Sequence, residues 1–109
     1  MERLADQLRV EVAELIAGEL KDPRIGFATV TRVEVSPDFR HARVLVSVLG
    51  GAEAQKDTME GLASATGFVR HEVSRRLRLR RAPELTFVLD HGPEEADRID
   101  AILKNLKKE

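Results

Sequence analysis

His41-Ala42-Arg43-Val44-Leu45-Val46-Ser47-Val48 alternates with a period of two, Ala42, Val44, Val46 and Val48 against His41, Arg43, Leu45 and Ser47. Successive strand side chains point to opposite faces, so this octet predicts a β-strand with one face in a core. Upstream, Ser36-Pro37-Asp38 is a turn by its chemistry: proline pre-sets φ, and the flanking Ser and Asp can bond the turn backbone. Residues 27–35, rich in Val and Thr, predict another strand before that turn. Earlier still, Leu4, Leu8, Val12, Leu15, Ile16 and Leu20 share one face of a helix, with Glu11, Glu14 and Glu19 around the other. Asp22-Pro23 stops it, because the residue before proline is pushed out of the α region.

Downstream, Gly50-Gly51 ends the octet and a helical pattern runs from about 54 to 79. Met59, Leu62 and Ala63 form one apolar stripe, and Val69, Val73 and Leu77 another. Between them lies Ala65-Thr66-Gly67. A glycine inside a helix costs about 1 kcal/mol against alanine. The spacing therefore predicts two helices meeting at a kink. Ala82-Pro83 ends the second helix, and Leu85, Phe87 and Leu89 alternate as a third strand. Pro93, followed by Glu94 and Glu95, suits the first turn of a last helix. Ile99, Ile102, Leu103 and Leu106 give that helix its stripe, and Lys104, Lys107 and Lys108 complement its C-terminus. The order α-β-β-α-α-β-α predicts an α+β fold, a three-stranded sheet with helices packed on one face.

At 109 residues the chain is expected to be one domain, with its core over about 3–103 and a short basic end at 104–109. It has no cysteine, which removes disulfides, thiolate catalysis and Cys-ligated metals, and fits a reducing compartment. No signal-peptide h-region and no apolar run of the roughly 20 residues that span a bilayer are present. A cytoplasmic protein away from membranes is the expectation. His41, His71 and His91 lack ligand spacing, and no P-loop or nucleophile-elbow motif occurs. Asp90-His91 reads as a turn pair rather than an acid–base pair. No catalytic residue, metal, cofactor or small-molecule substrate is predicted.

The net charge of −1 conceals a cancellation. Residues 70–81 hold six arginines (Arg70, Arg75, Arg76, Arg78, Arg80, Arg81) against Glu72 alone. Residues 90–100 hold five acids against Arg98, and the first helix through Asp22 has six acids against three bases. On a helical wheel His71, Arg75 and Arg78 point away from the Val73 stripe, while Arg70 and Arg76 flank it. Guanidinium forks bind phosphate bidentately, so this stretch suits a phosphate-tracking surface, with Arg24, Arg32, Arg40 and Arg43 as extensions. The competing reading is a solvated face whose arginines pair with acids elsewhere in the fold. The four aromatics are all phenylalanines, too few to favour base-stacking platforms; Phe27 and Phe87 are expected in the core and Phe68 under the kink.

The element order resembles a type II KH domain, an RNA-binding fold. The G-x-x-G loop of ordinary KH domains is missing: Ala65-Thr66-Gly67 stands at that junction. That departure is similar to the ribosome-binding factor A family, and five segments in order carry the resemblance. They are Leu20-Lys21-Asp22-Pro23-Arg24, Val33-Glu34-Val35-Ser36-Pro37-Asp38, Ala42-Arg43-Val44, Ala65-Thr66-Gly67-Phe68-Val69-Arg70 and Pro83-Glu84-Leu85-Thr86-Phe87-Val88-Leu89-Asp90. The resemblance implies non-catalytic binding of the small ribosomal subunit through its 16S rRNA late in maturation. It carries over Ala65, Thr66 and Gly67 and the helix from Arg70; His71, Arg75, Arg76, Arg78, Arg80, Arg81, Arg24 and Arg43 are added from charge. The N–H groups opening a second helix at the kink are expected to face a phosphate. A monomer is the expectation. The alternative is a protein–protein adaptor, or a salt-sensitive homodimer pairing the acidic first helix with the arginine helix.

Overall fold

A computed structural model of the chain describes residues 2–90. The elements run α1 (Glu2–Gly18), β1 (Ala28–Val35), β2 (His41–Val48), α2 (Ala52–Arg76) and β3 (Glu84–Leu89). The helix expected from Pro93, the acidic stretch after Asp90 and the basic end lie outside the described residues. The sheet order is β1-β2-β3, with β1 antiparallel and β3 parallel to the central β2. A parallel neighbour needs a crossover, and α2 supplies it.

The octet reading of β2 holds. Ala42, Val44, Val46 and Val48 are buried against Leu8, Val12, Leu15 and Ile16 of α1 and Leu62, Val69 and Val73 of α2, in one cluster. Both helices therefore cover the same sheet face, as expected. The other face carries the exposed Thr29, Arg32, Arg43, Ser47 and Thr86. Pairing between β1 and β2 shifts register between Val30 and Arg32. An extra residue there reverses the alternation, so Val30 and Val33 both reach the core.

The same parity overturns one expectation. Phe27 precedes the strand on the outward side and is 81% exposed, its carbonyl accepting the Leu49 N–H at 3.0 Å. Phe87 packs against the core as expected.

The second correction concerns the kink. α2 is one continuous helix through residues 65–67. Its buried Thr58, Leu62, Val69 and Val73 stay in phase at 100° per residue, so a single stripe crosses the glycine. Packing of that stripe outweighs the glycine's propensity cost. Without a break there is no second helix N-terminus to offer N–H groups, and Phe68, expected under the junction, is 46% exposed.

Candidate nucleic-acid interface

Ala65, Thr66 and Gly67 have three different environments. Ala65 packs against the core. The Thr66 hydroxyl donates back to the Leu62 carbonyl at 3.0 Å, occupying itself within the helix. Gly67 alone faces out, and a methyl group placed on it would meet nothing within 4 Å. Packing therefore does not require the glycine.

One helical turn on, Arg70 turns its guanidinium onto the chain ahead of β3. Nη2 and Nε donate to the Ala82 carbonyl at 2.8 and 3.3 Å. This places the 80–82 loop alongside the helix. Between them runs a groove of about 400 Å³, lined by Gly67, Arg70, His71 and Ser74 on α2 and by Arg80, Arg81 and Ala82 on the loop. Gly67 and Ser74 are seven residues apart, almost two full turns, so the groove floor is made of small side chains. Ser74 and Ala82 escaped the sequence reading. The seven-residue spacing of two small residues marks Ser74, whereas nothing local marks the Ala82 carbonyl as the seat for Arg70.

The helix closes over this groove with a Schellman motif. Arg78 N–H donates to the Arg75 carbonyl at 3.3 Å and Leu79 N–H to the Ser74 carbonyl at 2.9 Å, with Arg78 at φ 53°. Arginine occupies a left-handed position where glycine is normally favoured, which costs on the order of 1 kcal/mol. Arg78 thus lies beyond the helix, and its wheel position does not apply. It is exposed, as are Arg80 and Arg81, and none of the three pairs with a carboxylate among the described residues.

Arg76 is a different case. Its guanidinium approaches Glu11 at 3.3 Å, Glu14 at 3.6 Å, Glu72 at 3.8 Å and Glu19 more closely still. Partial burial opposes the charge, but these carboxylates prevail and hold the group above the ordinary arginine range. Arg76 clamps α2 onto α1, so it is a structural arginine rather than one available to phosphate. Arg75 stays exposed while donating to Glu72 at 2.8 Å, and that hydrogen bond draws the Glu72 carboxyl below its usual range. Within one chain, Glu11 and Glu14 of acidic α1 pair with the arginine helix at Arg76.

Arg24 and Arg43 lie elsewhere. Arg24 holds Asp22 bidentately, and its hydrogen bonds pull the Asp22 carboxyl down to about 2. Its Cβ lies beside Gly61, half a turn around α2 from Arg70. Gly61 is itself required by packing: a methyl there would come within 2.6 Å of Ile25. The Thr58 hydroxyl fixes the same loop, accepting the Gly26 N–H at 3.1 Å. Arg43 projects from the sheet face away from the helices and pairs with Glu34 at 3.5 Å. The groove thus gathers Gly67, Arg70, His71, Arg80 and Arg81 of the expected residues; Arg78 is exposed but does not line it.

Among the described residues no three His, Asp or Glu side chains come together to hold a metal ion. No described helix is long and apolar enough to cross a membrane.

Comparison with known proteins agrees with this architecture. The family model for ribosome-binding factor A matches residues 1–103. A ribosome-binding factor A from Desulfitobacterium hafniense is 50% identical over 107 residues, covering 98% of this chain and 86% of its own. The crystal structure of ribosome-binding factor A from Thermus thermophilus superposes with a TM-score of 0.74 at 30% identity, over 84% of this chain and 98% of that one. A homology model of the T. thermophilus factor, fitted into a cryo-EM map of its complex with the 30S subunit, gives 0.68 at 31% identity, over 82% and 93%.

Proposed function

The chain belongs to the ribosome-binding factor A family, and from that premise we propose that it binds the small ribosomal subunit through 16S rRNA, assisting late maturation and rRNA processing without catalysis. It acts as a single monomeric domain in the cytoplasm and needs no cofactor. The observation that carries the reading is the pair Arg80 and Arg81, exposed and without carboxylate partners among the described residues, beside a groove whose floor is open at Gly67.

The geometry supports a phosphate-binding role. Arg70 is fixed by the Ala82 carbonyl, so its outer edge meets a ligand without first losing conformational freedom. Arg80 and Arg81 supply the free forks, which suit phosphate oxygens and remain charged at any physiological pH. Gly67 and Ser74 let a strand approach the helix backbone closely. Arg75, exposed beside the groove, exchanges its Glu72 partner for phosphate at moderate cost because surface ion pairs are weak. The acidic α1 side repels RNA and so orients the encounter.

Co-sedimentation with purified small subunits tests this. Arg80→Glu with Arg81→Glu weakens association at least about tenfold, since each lost charge-assisted contact is worth more than about 1 kcal/mol. Far-UV circular dichroism should stay as in the wild type. Unchanged co-sedimentation of the double variant contradicts the assignment of this face.

A further inference from the structure

A second hollow, of about 410 Å³, adjoins the α2 groove and shares Arg70, Arg81 and Ala82 with it. Its far wall is the end of the β1–β2 turn, Arg40 and His41, with Glu84 at the start of β3. The two walls are tied together, because the Glu84 N–H donates to the Arg40 carbonyl at 2.8 Å. Arg40 is further fixed from behind. Its N–H donates to Asp38 at 3.0 Å, and Asp38 in turn accepts the Ser36 hydroxyl at 2.7 Å. Those bonds, the Ser36 one foremost, hold the Asp38 carboxyl below its usual range. The turn is therefore ordered before any ligand arrives.

The charge in this hollow is unbalanced. Among the described residues neither Arg40 nor Arg81 has a carboxylate within 4 Å of its guanidinium, and Arg70 bonds only a carbonyl. The single acid of the wall, Glu84, stands 3.7 Å from His41 Nδ1. Three guanidinium groups thus border a space that contains one carboxylate. Phe39 immediately precedes Arg40, at φ 60° with its side chain 47% exposed. A bulky residue in the left-handed region is uncommon, and glycine or asparagine would hold the same turn with less strain.

We infer that this hollow is a second nucleotide site, in which Arg40, Arg70 and Arg81 hold a backbone phosphate of single-stranded RNA while Phe39 stacks on an unpaired base. The inference rests on the RNA-binding reading above and extends it. One strand would pass from the α2 groove across the shared Arg70 and Arg81 to the β1–β2 turn. A single strand fits better than a duplex, since an A-form helix keeps its bases stacked and closed to an aromatic side chain.

The test is a titration of a short mixed-sequence single-stranded RNA at several salt concentrations, using the wild type, Arg40→Gln, Phe39→Leu and, as the control for the first groove, Arg80→Gln. Loss of one phosphate contact lowers the slope of log affinity against log salt by about 0.7. Arg40→Gln should show that loss. Phe39→Leu should weaken binding roughly 5- to 150-fold with an unchanged slope, as loss of one stacked base would. The Arg40 side chain makes no hydrogen bond among the described residues, so an unchanged thermal melt should accompany its substitution. If Arg80→Gln loses slope while Arg40→Gln and Phe39→Leu bind as the wild type does, the second site is overturned and the first reading stands. If Arg80→Gln is also unaffected, the RNA-binding reading itself falls.

Discussion

The two sides of α2 handle glycine and arginine in opposite ways. Toward α1 and the 24–26 loop, Gly61 exists because Ile25 fills the space its side chain would take. On that same side Arg76 is answered by four carboxylates. Toward the 80–82 loop, Gly67 borders open space, and Arg80 and Arg81 have no such partners among the described residues. One side is complete without a ligand. The other keeps a glycine that weakens the helix and an arginine, Arg78, in a conformation that glycine would adopt at lower cost. Stability is given up only on the side where charge is left over, which is the pattern expected where a binding site displaces the locally optimal residue.

The largest expected effect lies in the glycine contrast. Gly61→Ala should destabilise the fold by about 1–3 kcal/mol, because the new methyl forces Ile25 or the loop to move. Gly67→Ala should instead stabilise it by about 0.5–1 kcal/mol, while weakening association with small subunits. Urea denaturation of both variants checks the signs, and two variants shifting in the same direction would break the comparison. Next comes the arginine contrast. Arg76→Gln leaves Glu11, Glu14 and Glu19 facing one another, so its melting temperature should fall clearly below that of the wild type. Arg81→Gln touches no such cluster and should stay within about 0.5 kcal/mol of the wild type.

The smallest effect is acid dependence. Asp22 is lowered to about 2 by the Arg24 hydrogen bonds, and Glu72 is lowered by Arg75. Folded values below the unfolded ones mean stabilisation that is full above about pH 4. It is lost as pH falls toward 2. Arg24→Gln should flatten that part of the stability profile for Asp22, measurable by thermal melts from pH 5 to 2.

The fold was legible wherever a period was clean. β2 begins and ends with its alternating octet, and the face of α1 is the face the leucine spacing marks. Two features misled. Gly67 reads as a breaker because propensity is local, whereas the in-phase burial of Leu62, Val69 and Val73 that carries α2 through it is tertiary. The end of α2 carries no glycine signal, since its left-handed residue is an arginine, and the helix stops short of the Leu79 that the pattern reaches. At the site, local charge density marked the arginine stretch as a unit. It could not divide Arg76 from Arg80, because the division depends on what α1 brings alongside. Phe27 was misassigned for a related reason: hydrophobicity argued for the core, and strand parity put it outside.

Hydrogen–deuterium exchange of the protein with and without purified small subunits tests the central claim most directly. Docking through the open side of α2 predicts slowed exchange at residues 67–82 and in the turn at 36–41, with α1 unchanged. Protection concentrated on α1, with the 78–82 loop exchanging as in the free protein, would contradict it.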